Sequence, residues 1–173
     1  MKKVIITVCC GMLFLLASCT PEDPITKVEF SNKKGDIEQK SGVFYVSGDA
    51  RQLAISNYEL QSDKNYGDSE NNVTAEDQMK LVIFMYELKG DENTPVEVSE
   101  YTFGDAENKS VANAVLYYYA DGEQQMETLS GGGKTDGVKI VSKNGDTVAG
   151  EININGKEGK SIKGNFEAKI VKG

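Results

Sequence analysis

The chain contains no histidine and no tryptophan, and among its 173 residues only three are cysteine and three are proline. Each absence closes off a class of function or makes one less favoured. Without an imidazole there is no Ser–His–Asp triad and no Cys–His pair, since both need a base that titrates near neutral pH. A zinc site built from histidine and cysteine is excluded on the same ground. Without an indole, the largest aromatic platform for stacking a sugar is missing. Basic side chains are scarce as well: 19 Lys and Arg stand against 27 Asp and Glu, for a net charge of −8. Arg51 is the single arginine. Such a chain suits neither nucleic acid, whose affinity comes largely from neutralised phosphates, nor anionic lipid headgroups. Long apolar runs are missing too. Val4 to Leu16 would span about 20 Å as helix, short of the roughly 30 Å of a hydrocarbon core.

What is present begins at the N-terminus. Met1-Lys2-Lys3, the apolar stretch Val4 to Leu16 and then Ala17-Ser18-Cys19 have the layout of a secretory signal peptide. Leu16-Ala17-Ser18-Cys19 resembles the lipobox of bacterial lipoproteins, in which lipid is attached to the cysteine thiol and cleavage before it frees its amine. The resemblance implies a signal peptide over 1–18, cut between Ser18 and Cys19. A lipidated Cys19 with an acidic, proline-containing tether follows over 19–25, then a single β-domain over 26–173. Several acyl chains on Cys19 anchor stably where one would hold only marginally. Cleavage discards Cys9 and Cys10, so no internal disulfide remains, and the loss of Lys2 and Lys3 takes the net charge from −8 to −10.

The tether Thr20-Pro21-Glu22-Asp23-Pro24 reads as an extended spacer. In Gram-negative lipoproteins, which this segment resembles, an aspartate directly after the cysteine retains a protein at the inner membrane; here that position is Thr20. Lipoproteins of Bacteroidota often carry acidic residues just after the cysteine, associated with display on the outer face, and Glu22 and Asp23 resemble a loose version interrupted by Pro21. The expected location is therefore the outer membrane, lipid-anchored, with the cell surface favoured over the periplasmic face.

The remainder carries the signature of an all-β domain, aromatic and β-branched runs separated by Gly, Asn and Asp clusters. From Ser161 to Ile170, residues Ile162, Phe166, Ala168 and Ile170 share one face while Lys163, Asn165, Glu167 and Lys169 share the other. That alternation marks a strand with one wet face. Val148, Ile152 and Ile154 repeat it upstream. Asn144-Gly145 and Asn155-Gly156 supply turn residues with positive φ, so 137–171 is expected to form a three-stranded antiparallel meander. Leu81 to Tyr86 and Val115 to Tyr119 are apolar on both faces, as in strands buried on two sides or lining a ligand cavity. Further strands are expected near 26–31, 42–48, 51–60 and 97–103, with one capped helical turn over Thr74 to Met79. About 8–10 strands in one domain give an antiparallel β-sandwich or a closed meander barrel.

Several motifs bear on chemistry. Ser130-Gly131-Gly132-Gly133-Lys134-Thr135 resembles the end of a phosphate loop, but Thr128 stands where the motif needs glycine and a strand follows instead of a helix; a hairpin loop is the expectation. Asp63, Asn65, Asp68 and Glu70 could offer oxygens to calcium, but their spacing does not fit an EF-hand, and a solvated acidic loop is expected with no metal. Tyr117 and Tyr119, with Tyr86 and Tyr58 nearby in composition, are candidate ligand-binding aromatics, since tyrosine pairs an apolar body with a polar tip. Asp146-Thr147-Val148 resembles the site at which Bacteroidota O-glycosylate exported proteins, making Thr147 the candidate acceptor. Catalysis is left with carboxylate pairs, such as glycosidases use, or a Ser–Lys dyad, and no carboxylate pair stands out.

Taken whole, the chain resembles small Bacteroidota outer-membrane lipoproteins of unassigned function, through the lipobox, the acidic tether and the closing meander of Gly150-Glu-Ile-Asn-Ile154 and Ile162-Lys-Gly-Asn-Phe-Glu-Ala168. The expected protein is a binding module with no catalytic residues and no cofactor. It would be held to the membrane by its lipid and would capture a glycan, a small apolar ligand or a protein partner. The alternatives are a structural subunit of an envelope complex and, less favoured, a carboxylate-dependent glycoside hydrolase.

Overall fold

The computed structural model describes residues 23–104 and 108–173; the expected signal peptide over 1–18, with Ser18 at its cut site, the expected lipidation site Cys19 and the start of the tether lie outside the described residues. Eleven strands are present among them: β1 (Ile25–Glu29), β2 (Lys34–Glu38), β3 (Ser41–Ser47), β4 (Ala50–Ser56), β5 (Met79–Glu87), β6 (Ser99–Thr102), β7 (Lys109–Ala120), β8 (Glu123–Ser130), β9 (Gly137–Asn144), β10 (Thr147–Asn155) and β11 (Ser161–Lys172). Helix is confined to two short 3₁₀ turns, Ser69–Asn71 and Lys157–Gly159. No helix of the described residues is long and apolar enough to cross a membrane.

Eight of the strands close into a barrel in the order β3, β4, β5, β7, β6, β9, β10, β11, with β11 returning to β3. The fold is therefore the barrel alternative of the all-β expectation. It is not a pure meander, because β6 and β7 exchange places. Two neighbouring pairs in the ring run parallel, β6 with β7 and β11 with β3, and the remaining six are antiparallel. A closed ring needs an even number of direction reversals; the exchange at β6–β7 and the parallel closure at β11–β3 satisfy that requirement together.

The two longest strands, β7 and β11, each run past one neighbour and pair with another. β11 pairs with β1 at Ser161–Gly164 and with β3 at Lys169–Lys172. β7 touches β6 at Ser110 and pairs with β8 over Asn113–Ala120. The β1–β2 hairpin and β8 thus extend the wall as flaps. They meet where the Glu127 carboxylate of β8 accepts the backbone N–H groups of Ser31 and Asn32, at 3.1 and 2.8 Å.

Alternation along the strands puts one continuous core inside the barrel. Leu53 and Ile55 of β4, Leu81, Ile83 and Met85 of β5, Leu116 of β7 and Ile152, Ile154, Ile162 and Phe166 of the meander all belong to it. Phe166 lies across from Gly150, where a Cβ would come within 2.6 Å of its ring and 2.2 Å of the Lys139 carbonyl. Glycine at 150 is what lets the ring fill the interior. One end of the barrel is closed by charge. The Arg51 side chain is fully buried and donates to the carbonyls of Gly48, Ala50 and Asp91. It also pairs with Glu87 at 3.2 Å, and Lys109 reaches the same carboxylate at 3.0 Å. The single arginine is thus spent on the interior.

A second, smaller core lies outside the barrel. Val43, Tyr45, Ala54 and Val82 form the outer face of β3–β4–β5, and Leu60 with Tyr58 and Tyr66 covers them. Those last three come from the segment 57–78, which crosses the wall as a strap. This is why Leu81 to Tyr86 is apolar on both faces: one side fills the barrel and the other underlies the strap. Of the local expectations, the meander appears as β9, β10 and β11. Its second link differs, because Gly156–Lys160 forms a longer loop with a 3₁₀ turn in place of a two-residue hairpin. The helical turn expected over Thr74 to Met79 is instead a non-helical turn leading into β5, because Met79 already pairs with Tyr118 in the sheet. The strand expected over 51–60 ends at Ser56, where the strap departs.

Candidate functional site

The strap is held down by groups that carry no apolar pattern. Asn71 is fully buried; its amide oxygen accepts the Gln61 N–H at 2.8 Å, and its NH₂ donates to the carbonyls of Gln61 and Asn65. Its own carbonyl accepts the Tyr58 hydroxyl at 2.8 Å and the Lys80 ammonium at 2.6 Å. Lys80 points outward from β5 beneath the strap, donates also to the Tyr66 carbonyl at 2.6 Å, and lies 4.6 Å from the centre of the Tyr117 ring. Burial pushes its pKa down to about 8. Burial likewise raises the Tyr58 hydroxyl well above its ordinary value.

Where the strap meets the wall near the end of β3, an open groove of about 460 Å³ remains, lined by Tyr45, Ser47, Gln52, Asn65, Tyr66 and Gly67 among others. Three aromatic rings fix its shape. Tyr66 packs edge-on against Tyr45, with centroids 6.4 Å apart, and against Phe84 at 5.3 Å. The Tyr45 hydroxyl donates to the Lys64 carbonyl at 2.8 Å, tying strand to strap. Its pKa is pushed up to about 12, first by burial and then by the carboxylates of Asp68 and Asp63. Tyr86, 43% exposed, continues the same outer face of β5 two residues beyond Phe84. The groove combines flat apolar faces with amides and a hydroxyl, which suits an uncharged polar molecule with an apolar side.

A second concavity, about 450 Å³, opens beside the start of the described chain, between Asp23, Pro24, Lys40, Thr147 and Lys169. It exists because β1 and β3 share one edge of β11 and leave a gap between them. Gln39 bridges that gap with its side chain, donating to the Glu167 carbonyl and accepting the Glu167 N–H at 3.3 Å. Asp23 and Pro24, the first described residues, lie in this groove.

The candidates read from sequence are dispersed. Tyr117 sits in the outer core with Lys80 over its ring. Tyr119 is partly exposed, and its hydroxyl closes the β7–β8 turn by donating to the Gly122 carbonyl at 2.7 Å. Thr147, the first residue of β10, is partly exposed in the concavity beside Pro24. The structure does not bring these three together. The Gly131–Asp136 loop joins β8 to β9, and the Asp136 carboxylate accepts the N–H groups of Gly133 and Asn155 at 2.9 and 2.7 Å. Burial pushes that carboxyl up, but these hydrogen bonds outweigh it and hold its pKa below the ordinary value. A carboxylate thus takes the backbone donors that a phosphate would need. Asp68 and Glu70 accept local hydrogen bonds from the Asn65 N–H and the Ser69 hydroxyl. Among the described residues no group of three or more Asp, Glu, Cys or His side chains converges closely enough to hold a metal ion.

Sequence reasoning missed the groove. Its usable signal was a tyrosine, Tyr66, inside an otherwise polar loop, together with the two-faced apolar strands that such a loop could cover. Set beside protein-family models, curated proteins and solved structures, the chain has no match.

Proposed function

We propose that the protein is a lipid-anchored binding module of the bacterial outer membrane, carried on Cys19 and displayed at the cell surface. The observation that carries this reading is the division of labour between the two faces of the wall. The interior is filled by the chain's own side chains, while the outside offers a preformed groove between strap and barrel. A filled barrel suits a scaffold, so recognition belongs to its outer surface. The lipobox, the acidic tether and the scarcity of catalytic side chains support the same reading.

The test is metabolic labelling in a cell that expresses the full chain. Cys19→Ala is expected to abolish incorporation of labelled fatty acid and to move the protein out of the membrane fraction. External protease should degrade the anchored wild type on intact cells. Unchanged labelling of the variant would overturn the anchor, and protection from protease would overturn surface display.

A further inference from the structure

The groove between the strap and the barrel has a chemistry specific enough to name a ligand class. From it we infer that the site binds an uncharged carbohydrate. The inference rests on the binding-module reading and narrows it to one site.

Three features of the groove lead there. The first is the polar lining. The side-chain amides of Gln52 and Asn65 and the hydroxyl of Ser47 line the groove and hydrogen-bond to no other described residue. They stand on different elements, β4, strap and β3, and converge on one opening. Amides offer donor and acceptor together, which matches sugar hydroxyls, themselves both. The second is the aromatic lining. Tyr66 is held edge-on by Tyr45 and Phe84, so its ring is fixed before any ligand arrives, and a rigid aromatic costs little entropy on binding. The C–H face of a pyranose packs on such a ring. The third is charge. Neither lysine nor arginine lines the groove, Asp63 and Asp68 lie close enough to act on Tyr45, and the chain as a whole carries −8. Uronates and sulfated glycans would meet that acidic field with no lysine or arginine in the lining to pair with, since Lys80 is buried beneath the strap with its ammonium already donating to the Tyr66 and Asn71 carbonyls. The volume, about 460 Å³, lies within the usual range for small-ligand sites, and its open form would let a longer chain continue past Tyr86.

Native affinity electrophoresis of the full chain without its signal peptide tests this. The gels contain soluble neutral polysaccharides, namely xyloglucan, galactomannan, mixed-linkage β-glucan and starch, with polygalacturonate and heparin as anionic counterparts. At least one neutral polymer is expected to retard the wild type and the anionic ones not. Tyr66→Ala and Gln52→Ala should each weaken that retardation by about tenfold, the loss of one good contact, with melting temperature measured alongside to show that the barrel is intact. Tyr119→Ala, at the β7–β8 turn, should retain it. No retardation by any neutral polymer overturns the inference, as does retardation that survives both groove substitutions, or retardation by the anionic polymers alone. A failure here with fatty-acid labelling and surface exposure intact removes the carbohydrate and leaves the anchored binding module standing. Loss of labelling with retardation intact does the reverse.

Discussion

Lys80 is an ammonium group set between two carbonyls and an aromatic ring, with no carboxylate among its described ion pairs. Those partners offset part of the cost of removing the charge from water, but not all of it, which is why burial lowers its pKa to about 8 from an ordinary 10.5. The sign of the resulting pH dependence follows. Between about pH 8 and 10 the unfolded chain keeps its proton at this position while the folded chain loses it. Stability therefore rises with pH across that window, by up to about 3 kcal/mol for a shift of this size. Above pH 10 the raised tyrosine pKa values act in the opposite direction, since Tyr45 holds its proton in the folded state to about 12. Urea midpoints measured from pH 7 to 10 should increase in the wild type and stay level in Lys80→Met. A wild-type profile as flat as the variant's would show that the amine is not buried as described. Nothing in the local sequence signals this: Lys80 sits between Met79 and Leu81 and reads as the wet face of a strand until the strap is laid over it.

At the scale of elements, the meander was legible and the closure was not. β9, β10 and β11 announce themselves because each hairpin is local and each strand alternates inside with outside. β2 and β8 went unread because their sequences, Lys34–Glu38 and Glu123–Ser130, are mostly polar, as edge strands with a single pairing partner are free to be. The parallel contact of β11 with β3 joins residues more than 120 positions apart, and hydrophobic periodicity carries no information on pairing at that range. The groove shares the difficulty, since Tyr45 and Tyr66 belong to different elements and are brought together only by the strap. What the meander's pattern does encode is a packing constraint at Gly150, where the Phe166 ring takes the space of a side chain. Gly150→Val should force that ring and the Lys139 backbone apart and lower stability by roughly 1–3 kcal/mol, the usual cost of overpacking. Phe166→Leu in the same background should recover part of the loss. Chemical denaturation of the two single variants and the double variant reads the coupling, and additive effects would mean that the ring does not rest on position 150.

For the whole molecule, the consequence lies in where the tether leaves. From Cys19 to Asp23 the chain can span at most about 14 Å, so the proposed acylation of Cys19 would hold the wall beside Pro24, Gln39 and Lys40 close to the membrane surface. The proposed recognition groove is at the opposite end of β3. Ser41 lies beside Asp23 and Pro24 in the other concavity and Ser47 lines the groove, and the six residue steps between them correspond to about 20 Å of strand. A short tether fixed to one end of a rigid strand keeps the other end available to large ligands, which a long flexible tether would leave to chance. Cysteine economy makes this measurable. The proposed processing removes Cys9 and Cys10 and acylates Cys19, so on that proposal a substituted cysteine is the only free thiol. A fluorophore on Lys40→Cys, in lipidated protein reconstituted into vesicles with headgroup-attached quencher, should be strongly quenched. The same fluorophore on Ser47→Cys should be quenched weakly. Both positions are exposed in the fold, so a difference in solvent access cannot produce the contrast. Equal quenching would mean that the barrel lies flat on the membrane with its groove at the surface, and the orientation argued from the tether would be lost.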